Sequence, residues 1–255
     1  MRTGVTGERV FTTADGFNPT WQRHVAGYAL TERFLPQGRI VDLGCGVGHS
    51  YDRLAPRETV GVDRDPAALA GQARETVIAD MRQLPFDNGS FDGAIAVHSL
   101  EHVPDPERML AETVRVVRPA GLAVFVTPNR LTFARADEVI DPYHYVEYSP
   151  EELRAICKPH FEAVELAGIF GSDRYHAFVA LELARLEALL RRDPLRLRRL
   201  VPRRLRQRLY DRRLGRERSD PDPHAAAIGL EDFELESSGL ESALDVIAIC
   251  RVAGA

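Results

Sequence analysis

Short apolar runs alternate with segments of mixed polarity along the first half of the chain. Strands that alternate with helical segments predict a parallel, doubly wound α/β sheet. Nearly continuous Val, Ile and Ala within the runs is typical of strands covered by helices on both faces. The runs cover residues 39–43, 59–63, 76–80, 91–98 and 122–127, and two later runs at 161–168 and 243–251 predict a sixth and a seventh strand.

Two segments between the strands carry local signals of their own. Ser149 followed by Pro150 and by Glu152 predicts the start of a helix, because serine caps helix N-termini and proline suits the first helical position. The connection 128–148 contains four aromatic residues and no clear period. Long ordered connections of this kind are often functional.

A chain of 255 residues with 44% hydrophobic composition is long enough for one sizeable domain. We predict an N-terminal helical lid at 1–38, a core at 39–170, an arginine-rich helical insertion at 171–240 and the last core strand at 241–255. The three cysteines are far apart in sequence and lack the spacing of a zinc site or a disulfide framework. The chain has no run of roughly 18 apolar residues and no signal-like N-terminus, so a cytoplasmic location is expected.

The first strand leads directly into the segment Val41–Gly48, which holds three glycines at alternating positions. Glycine lets a backbone turn tightly and approach a ligand closely. The spacing of Gly44, Gly46 and Gly48 differs from the dinucleotide fingerprint G-x-G-x-x-G. Acidic residues then follow at successive strand ends, namely Asp42, Asp63 and Asp80, the last followed by Met81. Asp63 is placed where a carboxylate binds ribose hydroxyls, which by itself does not separate a nicotinamide cofactor from other nucleosides.

At this point the sequence resembles the class I S-adenosylmethionine-dependent methyltransferases, in particular the small-molecule type with D-x-G-C-G-x-G followed by an E-H-V segment. The resemblance spans about residues 39–130, and the matching segments are 42–48, 60–63, 79–85, 91–103 and 118–128. It implies a Rossmann-like sheet of seven strands, the last one antiparallel, and S-adenosylmethionine as cofactor.

The resemblance also implies roles for individual residues. The glycine segment, from Asp42 through Gly44, Cys45, Gly46 and Gly48, would pass under the methionine part of the cofactor. Asp63 would bind the ribose hydroxyls, Asp80 and Met81 would receive the adenine, and His98 would lie beside the bound cofactor.

The segment His98–His102 follows the fourth strand, where open α/β sheets place their binding crevice. Related quinone-pathway O-methyltransferases carry E-x-x-E-H here and are thought to use it with a divalent metal, but His98 replaces the first Glu. Because no cysteine or further carboxylate is nearby, we predict no metal. Glu101 and His102 are expected to brace the next helix, with His102 kept as a catalytic candidate.

The candidates for acceptor chemistry lie in the long connection and near the N-terminus. His144, flanked by Tyr143 and Tyr145, is the best general base candidate, because the unperturbed pKa of histidine lies near neutrality. The alternative is a surface-loop histidine packed between tyrosines. Trp21 and His24 are predicted to line the acceptor side of a lid, although a single tryptophan is also a common packing residue.

Residues 185–218 contain fourteen arginines against four acids, so this segment carries a charge of about +10 and the rest of the chain about −15. Leucines are interleaved with the arginines. Three interpretations remain open: a cap whose leucines pack on the core, a surface for peripheral binding to the inner face of a membrane, and a nucleic-acid surface. A membrane surface would suit a lipid- or sugar-linked acceptor.

The sequence therefore predicts a methyltransferase that acts on a small or lipid-linked acceptor, with O-methylation favoured because a histidine base is available. A nicotinamide-dependent oxidoreductase and a non-catalytic cofactor- or RNA-binding module remain the alternatives.

Overall fold

The computed structural model describes residues 19–133, 138–193, 195–217 and 227–254. The helices within these ranges are α1 (Pro19–Thr31), α2 (Pro66–Leu69), α3 (Pro106–Val116), α4 (Pro150–Cys157), α5 (Asp173–Leu190) and α6 (Arg203–Glu217). The strands are β1 (Arg39–Leu43), β2 (Glu58–Asp63), β3 (Glu75–Ile78), β4 (Phe91–Val97), β5 (Val117–Pro128), β6 (Ala163–Gly171), β7 (Phe233–Glu236) and β8 (Asp245–Arg251).

The strands form one sheet in the order β3-β2-β1-β4-β5-β8-β6-β7. Strands β1 to β5 are parallel to one another, whereas β8 runs antiparallel between β5 and β6. The chain moves outward from β1 to β3 and then returns to β4 on the other side of β1. Ligands of doubly wound sheets bind at such a reversal, beyond the carboxyl ends of the strands. The order of strands therefore places a crevice between the ends of β1 and β4.

The core lies on both faces of the sheet. Ile40 and Ile95 belong to one apolar cluster and their chain neighbours Val41 and Ala94 to the other, and all four are almost completely buried. Successive side chains of a strand point to opposite faces, so a continuous apolar run is required where both faces are covered. This confirms the predicted α/β sheet and explains why its strands do not alternate in polarity.

All seven predicted strands are present, with shifted ends, and the last strand is antiparallel as expected. The predicted segment 171–240 contains the helices α5 and α6, but it also contains an eighth strand, β7. The predicted count of seven strands is therefore wrong by one. β7 pairs antiparallel with the end of β6 and buries Phe233. Four residues at a sheet edge carry too little periodicity to be recognised in a sequence.

The helix predicted after Ser149 is α4, and its N-terminus has the expected cap. The Ser149 hydroxyl accepts from the backbone N–H of Glu152 at 3.3 Å, and the Glu152 carboxylate accepts from the backbone N–H of Ser149 at 2.7 Å. Two N–H groups at the start of the helix are thereby satisfied. The cap fixes the point at which the long connection after β5 ends.

Candidate functional site

A cavity opens at the carboxyl edge of the sheet, at the reversal between β1 and β4. Residues from α1, from the glycine segment and from the ends of β2, β3 and β4 surround it. Its lining includes His24, Tyr28, Gly44, Cys45, Gly46, Val47, His49, Asp63, Arg64, Asp80, Met81, Arg82, Val97, His98, Ser99, His102, Val103 and Pro104.

The glycine segment forms the floor of this cavity. Gly44, Gly46 and Gly48 have φ values of +71°, +52° and +67°, a backbone conformation that disfavours side chains. A Cβ atom added at Gly44 would lie 2.5 Å from the Cβ of Ser99, whereas one added at Gly46 would meet no atom within 4 Å. Gly44 therefore permits close packing against the turn after β4, and the backbone of Gly46 opens onto the cavity.

Asp63 ends β2 at the edge of the cavity, with only 9% of its surface exposed. Its carboxylate accepts from the backbone N–H of Gly46 at 3.1 Å and from that of Asp65 at 2.8 Å. These bonds fix the carboxylate beside the glycine segment. The position suits an acid that accepts from ribose hydroxyls, as the sequence predicts.

Asp80 and Met81 follow β3 and line the same cavity. The side chain of Arg82 donates to both carboxylate oxygens of Asp80, at 3.0 and 2.7 Å. This charge-assisted pair lowers the pKa of Asp80 to about 2. Asp80 therefore stays ionised at neutral pH, as an acceptor for an amino group requires. Arg82 was not predicted, since a neighbouring arginine carries no signal in a chain this rich in arginine.

Asp42 is fully buried beneath the glycine segment and is not part of the cavity lining. Its carboxylate accepts from the hydroxyl of Tyr28 at 2.8 Å and from the guanidinium of Arg74 at 2.7 Å. Asp42 thus joins α1 to the sheet and to the segment before β3. The sequence predicts a direct contact between Asp42 and the cofactor. In the structure the Asp42 carboxylate contacts Tyr28 and Arg74 and so stabilises the elements around the cavity.

His98 follows β4 with a φ of +50°, which is unusual for a residue with a side chain. Its Nε2 atom lies 3.1 Å from Oδ1 of Asp245, a fully buried residue at the start of β8. Arg23 of α1 donates to the same carboxylate at 2.8 and 2.6 Å. Although burial opposes ionisation, the charge of Arg23 and the nearby His98 hold the pKa of Asp245 well below its usual range.

The predicted lid residues have different positions relative to the cavity. His24 lines it, with its ring centroid 4.2 Å from that of His98. Trp21 is not part of the lining and packs on His49 at 4.4 Å. His49 was not predicted. Burial, His98 and Arg74 lower the pKa of His49 to about 4, so it is neutral at physiological pH.

A second group of polar side chains adjoins the cavity at His102. The ring centroids of His102 and His144 are 4.9 Å apart. Glu101, fully buried, accepts from the hydroxyl of Thr127 at 3.2 Å through Oε2. Ligand atoms of Glu101, His102 and His144 all lie within 4.8 Å of one another. Glu101 thus contacts Thr127 of β5, and Nδ1 of His102 lies 3.2 Å from the carbonyl oxygen of Tyr143 in the connection after β5.

His144 is held by a partner that the sequence analysis missed. Its Nδ1 atom lies 2.8 Å from Oε1 of Glu147, and both side chains are almost completely buried. Burial alone would lower the pKa of His144, but the hydrogen bond to Glu147 and the charges of Asp141 and Glu101 raise it above the usual value. His102 has no carboxylate hydrogen bond, and burial lowers its pKa to about 4. The pKa values of these two neighbouring histidines are therefore shifted in opposite directions.

The tyrosines that flank His144 are not part of the cavity lining. Tyr143 donates its hydroxyl to Asp211 of α6 at 2.7 Å, and the guanidinium of Arg203 lies 3.5 Å from the ring centroid of Tyr145. Both tyrosines thus contact the arginine-rich helix, and Tyr145 keeps 51% of its surface exposed.

Two features of the candidate site offer different donor sets. The cavity, with an open glycine backbone, an acid at the end of β2 and Met81 after β3, fits a nucleoside cofactor. The Glu101, His102 and His144 group is the one set of described residues with a spacing that would suit a metal ion. In both histidines Nδ1 is already engaged, by the carbonyl of Tyr143 at 3.2 Å in His102 and by Glu147 in His144. Nε2 is therefore the nitrogen left for chemistry.

Comparisons with known proteins find similarity to S-adenosylmethionine-dependent methyltransferases. A family model described as a methyltransferase domain matches residues 41–125. A Mycobacterium tuberculosis protein named as a probable S-adenosylmethionine-dependent methyltransferase is 31% identical over 179 residues, which cover 67% of this chain and 65% of that protein. The chain thus spans just under two thirds of that relative. A Mycolicibacterium smegmatis protein with the same kind of name is 28% identical over 96% of this chain and 93% of its own length.

Among solved structures, an S-adenosylmethionine-dependent methyltransferase of Thermotoga maritima superposes with a TM-score of 0.58 over 90% of this chain and 89% of its own. At 16% sequence identity this likeness concerns the fold alone. The strand order, the glycine segment and the sequence matches agree, and the chain belongs to the class I S-adenosylmethionine-dependent methyltransferase family.

Proposed function

We propose that the protein binds S-adenosylmethionine in the cavity at the ends of β1 and β4 and transfers its methyl group to a hydroxyl oxygen of a small or lipid-linked acceptor. The observation that carries the choice of oxygen is the pair formed by His144 and Glu147. Their 2.8 Å contact keeps the Nδ1 proton of His144 engaged, so Nε2 faces the acceptor as a base when the ring is neutral.

The cofactor supplies a methyl group on a positively charged sulfur. The described residues bind and orient it: Gly46 opens the backbone towards the methionine part, Asp63 accepts from the ribose hydroxyls and Asp80 accepts from the adenine amino group. Displacement at the methyl carbon requires an aligned nucleophile more than it requires covalent help from the protein.

The acceptor hydroxyl attacks from the side of His102 and His144. Bound S-adenosylmethionine would supply the methyl group to the hydroxyl oxygen and would leave as S-adenosylhomocysteine, and Nε2 of His144 would accept the hydroxyl proton. Neutral His102, adjacent to both the cavity and His144, orients the hydroxyl without adding a second positive charge beside the sulfonium.

Two experiments test this proposal in sequence. Calorimetry with S-adenosylhomocysteine and with NAD distinguishes a methyltransferase from a nicotinamide-dependent enzyme, and we expect binding of the first alone. Labelled S-adenosylmethionine and the purified protein are then incubated with an extract of a strain that lacks the gene, with the extract alone as the blank, and the labelled product is analysed for an O-methyl group. Cofactor binding without any labelled product would favour a non-catalytic module, and an N- or C-methyl product would refute the oxygen acceptor.

A further inference from the structure

The helix α6 has two faces of opposite character. One side, which we call the inner face, consists of Arg203, Gln207, Tyr210 and Asp211 and contacts the connection after β5. Arg203 donates to the carbonyls of Pro142 and Tyr143 at 2.8 Å each. Asp211, the only acid between residues 195 and 212, accepts from the hydroxyl of Tyr143. Hydrogen bonds therefore fix the inner face of α6 to the connection after β5.

The outer face of α6 consists of Arg204, Leu205, Arg208, Leu209 and Arg212, all exposed. These positions recur at spacings of one and four residues, so they share one side of the helix. The turn before α6 continues the pattern, with Leu195 exposed by 78% and Leu200 by 81%. Leu195, Leu197, Leu200, Leu205 and Leu209 are thus exposed, whereas Leu190 at the end of α5 is buried.

The arginines of the turn and those of the outer face differ in their partners. Arg198 of the turn pairs with Asp193 of the same segment at 3.0 Å, whereas no ion pair among the described residues involves Arg204, Arg208 or Arg212. Arg198 and Arg199 pair with Glu138, which fixes the turn before α6 to the connection after β5. Between residues 195 and 212 no described acid is exposed, because Asp211 is on the inner face. A surface that combines exposed leucines with exposed arginines and lacks acids matches an interface that is both apolar and negatively charged.

We propose that the outer face of α6, together with the turn 195–200, binds the surface of an anionic lipid bilayer. Interfacial helices insert apolar side chains at the headgroup boundary while arginines contact anionic lipids. Nucleic acid would satisfy the arginines but would leave the leucines in water. None of the described helices is long and apolar enough to cross a membrane.

This surface is connected to the candidate site through one carbonyl group. The Tyr143 oxygen that accepts from Arg203 on the inner face also lies 3.2 Å from Nδ1 of His102. An α-helix with its side chains is roughly 10–12 Å across. A bilayer on the outer face would therefore lie close to His102 and His144, which is where an acceptor with a lipid tail would present its head.

The test is co-sedimentation of the full chain with vesicles of phosphatidylcholine alone or mixed with phosphatidylglycerol. We expect pelleting with the anionic vesicles at low salt, weakened at high salt. Two double variants divide the surface: Arg204→Glu with Arg208→Glu removes the charge, and Leu205→Ser with Leu209→Ser removes the apolar contact. Each should weaken partitioning by at least about tenfold.

The matched control is Arg53→Glu with Arg108→Glu, which changes net charge equally at exposed arginines elsewhere. It should keep most vesicle binding, and all variants should keep their thermal unfolding transition. Absence of pelleting with anionic vesicles, an equal loss in the control, or binding that survives both α6 variants would overturn the proposal, as would a clear preference for RNA over vesicles. Binding of S-adenosylhomocysteine by the same variants tests the proposed function separately, since vesicle binding requires no methyl transfer.

Discussion

Nδ1 of His144 lies 2.8 Å from Oε1 of Glu147, and the two side chains are buried three residues apart in a connection without regular structure. Burial of a histidine together with a carboxylate costs free energy, because burial disfavours both charges. The pair gives His144 a fixed ring orientation, and it adjoins the cofactor cavity through His102.

Replacing His144 by Gln should lower kcat by about 10²- to 10⁴-fold, since a positioned base contributes about that much to proton transfer. Calorimetry should show S-adenosylhomocysteine affinity within about twofold of the original protein, because His144 is not part of the cavity lining. Exposed His176 replaced by Gln is the control. Unchanged turnover of the His144→Gln variant would remove this residue from the mechanism.

The pH dependence of turnover should report the raised pKa of His144. A base acts in its neutral form, so kcat/KM should rise with pH through a midpoint above about 6.5. Glu147→Gln removes the carboxylate that favours the protonated ring, and the midpoint should move to lower pH. Histidine-ring NMR of both proteins measures the same pKa without an acceptor. An identical His144 titration in the two proteins would contradict the role given to Glu147.

Asp63→Asn should weaken binding of S-adenosylhomocysteine by about tenfold or more, because an amide is a poorer acceptor than a carboxylate for ribose hydroxyls. The amide oxygen would keep one of the two backbone bonds, from Gly46 or from Asp65, and thermal unfolding of the variant measures how far the fold persists. Calorimetry measures the affinity, and Asp52→Asn, at an exposed aspartate, provides the control. Equal affinity in wild type and Asp63→Asn would place the ribose elsewhere.

Arg23→Met should reduce the free energy of unfolding by about 3–5 kcal/mol, since the fully buried Asp245 loses its arginine partner and keeps only His98 nearby. Arg39→Met is the comparison: its partners Glu58 and Glu75 are half exposed or more, so the loss should be below about 1 kcal/mol. Urea unfolding measures both. Similar losses in the two variants would show that the Arg23 pair does not anchor α1.

Turnover should be insensitive to chelators, because a histidine base needs no cation to accept the hydroxyl proton. Activity before and after treatment with EDTA, with and without added Mg²⁺ or Zn²⁺, provides the measurement. A loss that a divalent ion restores would contradict the base mechanism and would assign Glu101, His102 and His144 as metal ligands.

Much of the cofactor half of the site was predictable, because its signals are local. The run that forms β1 is continuous with the glycines that end it, and Asp63 and Asp80 are recognised as residues that follow apolar runs. Parallel strands bring their carboxyl ends to one edge of a sheet. Asp63 and Asp80, 21 and 38 positions after Asp42, are therefore expected near each other from the strand pattern alone.

The chain therefore determined by itself the alternation of strands, the methyl-donor family and the candidate histidines. Only the tertiary structure decided which distant residues pair and which leucines stay exposed: Asp245 meets Arg23 across 222 positions, Tyr143 meets Asp211 across 68, and Leu195 and Leu200 remain in solvent. Periodicity and turn chemistry act over a few neighbouring residues. Pairing between distant segments depends on how the whole chain packs, and a local pattern of side chains does not contain that information.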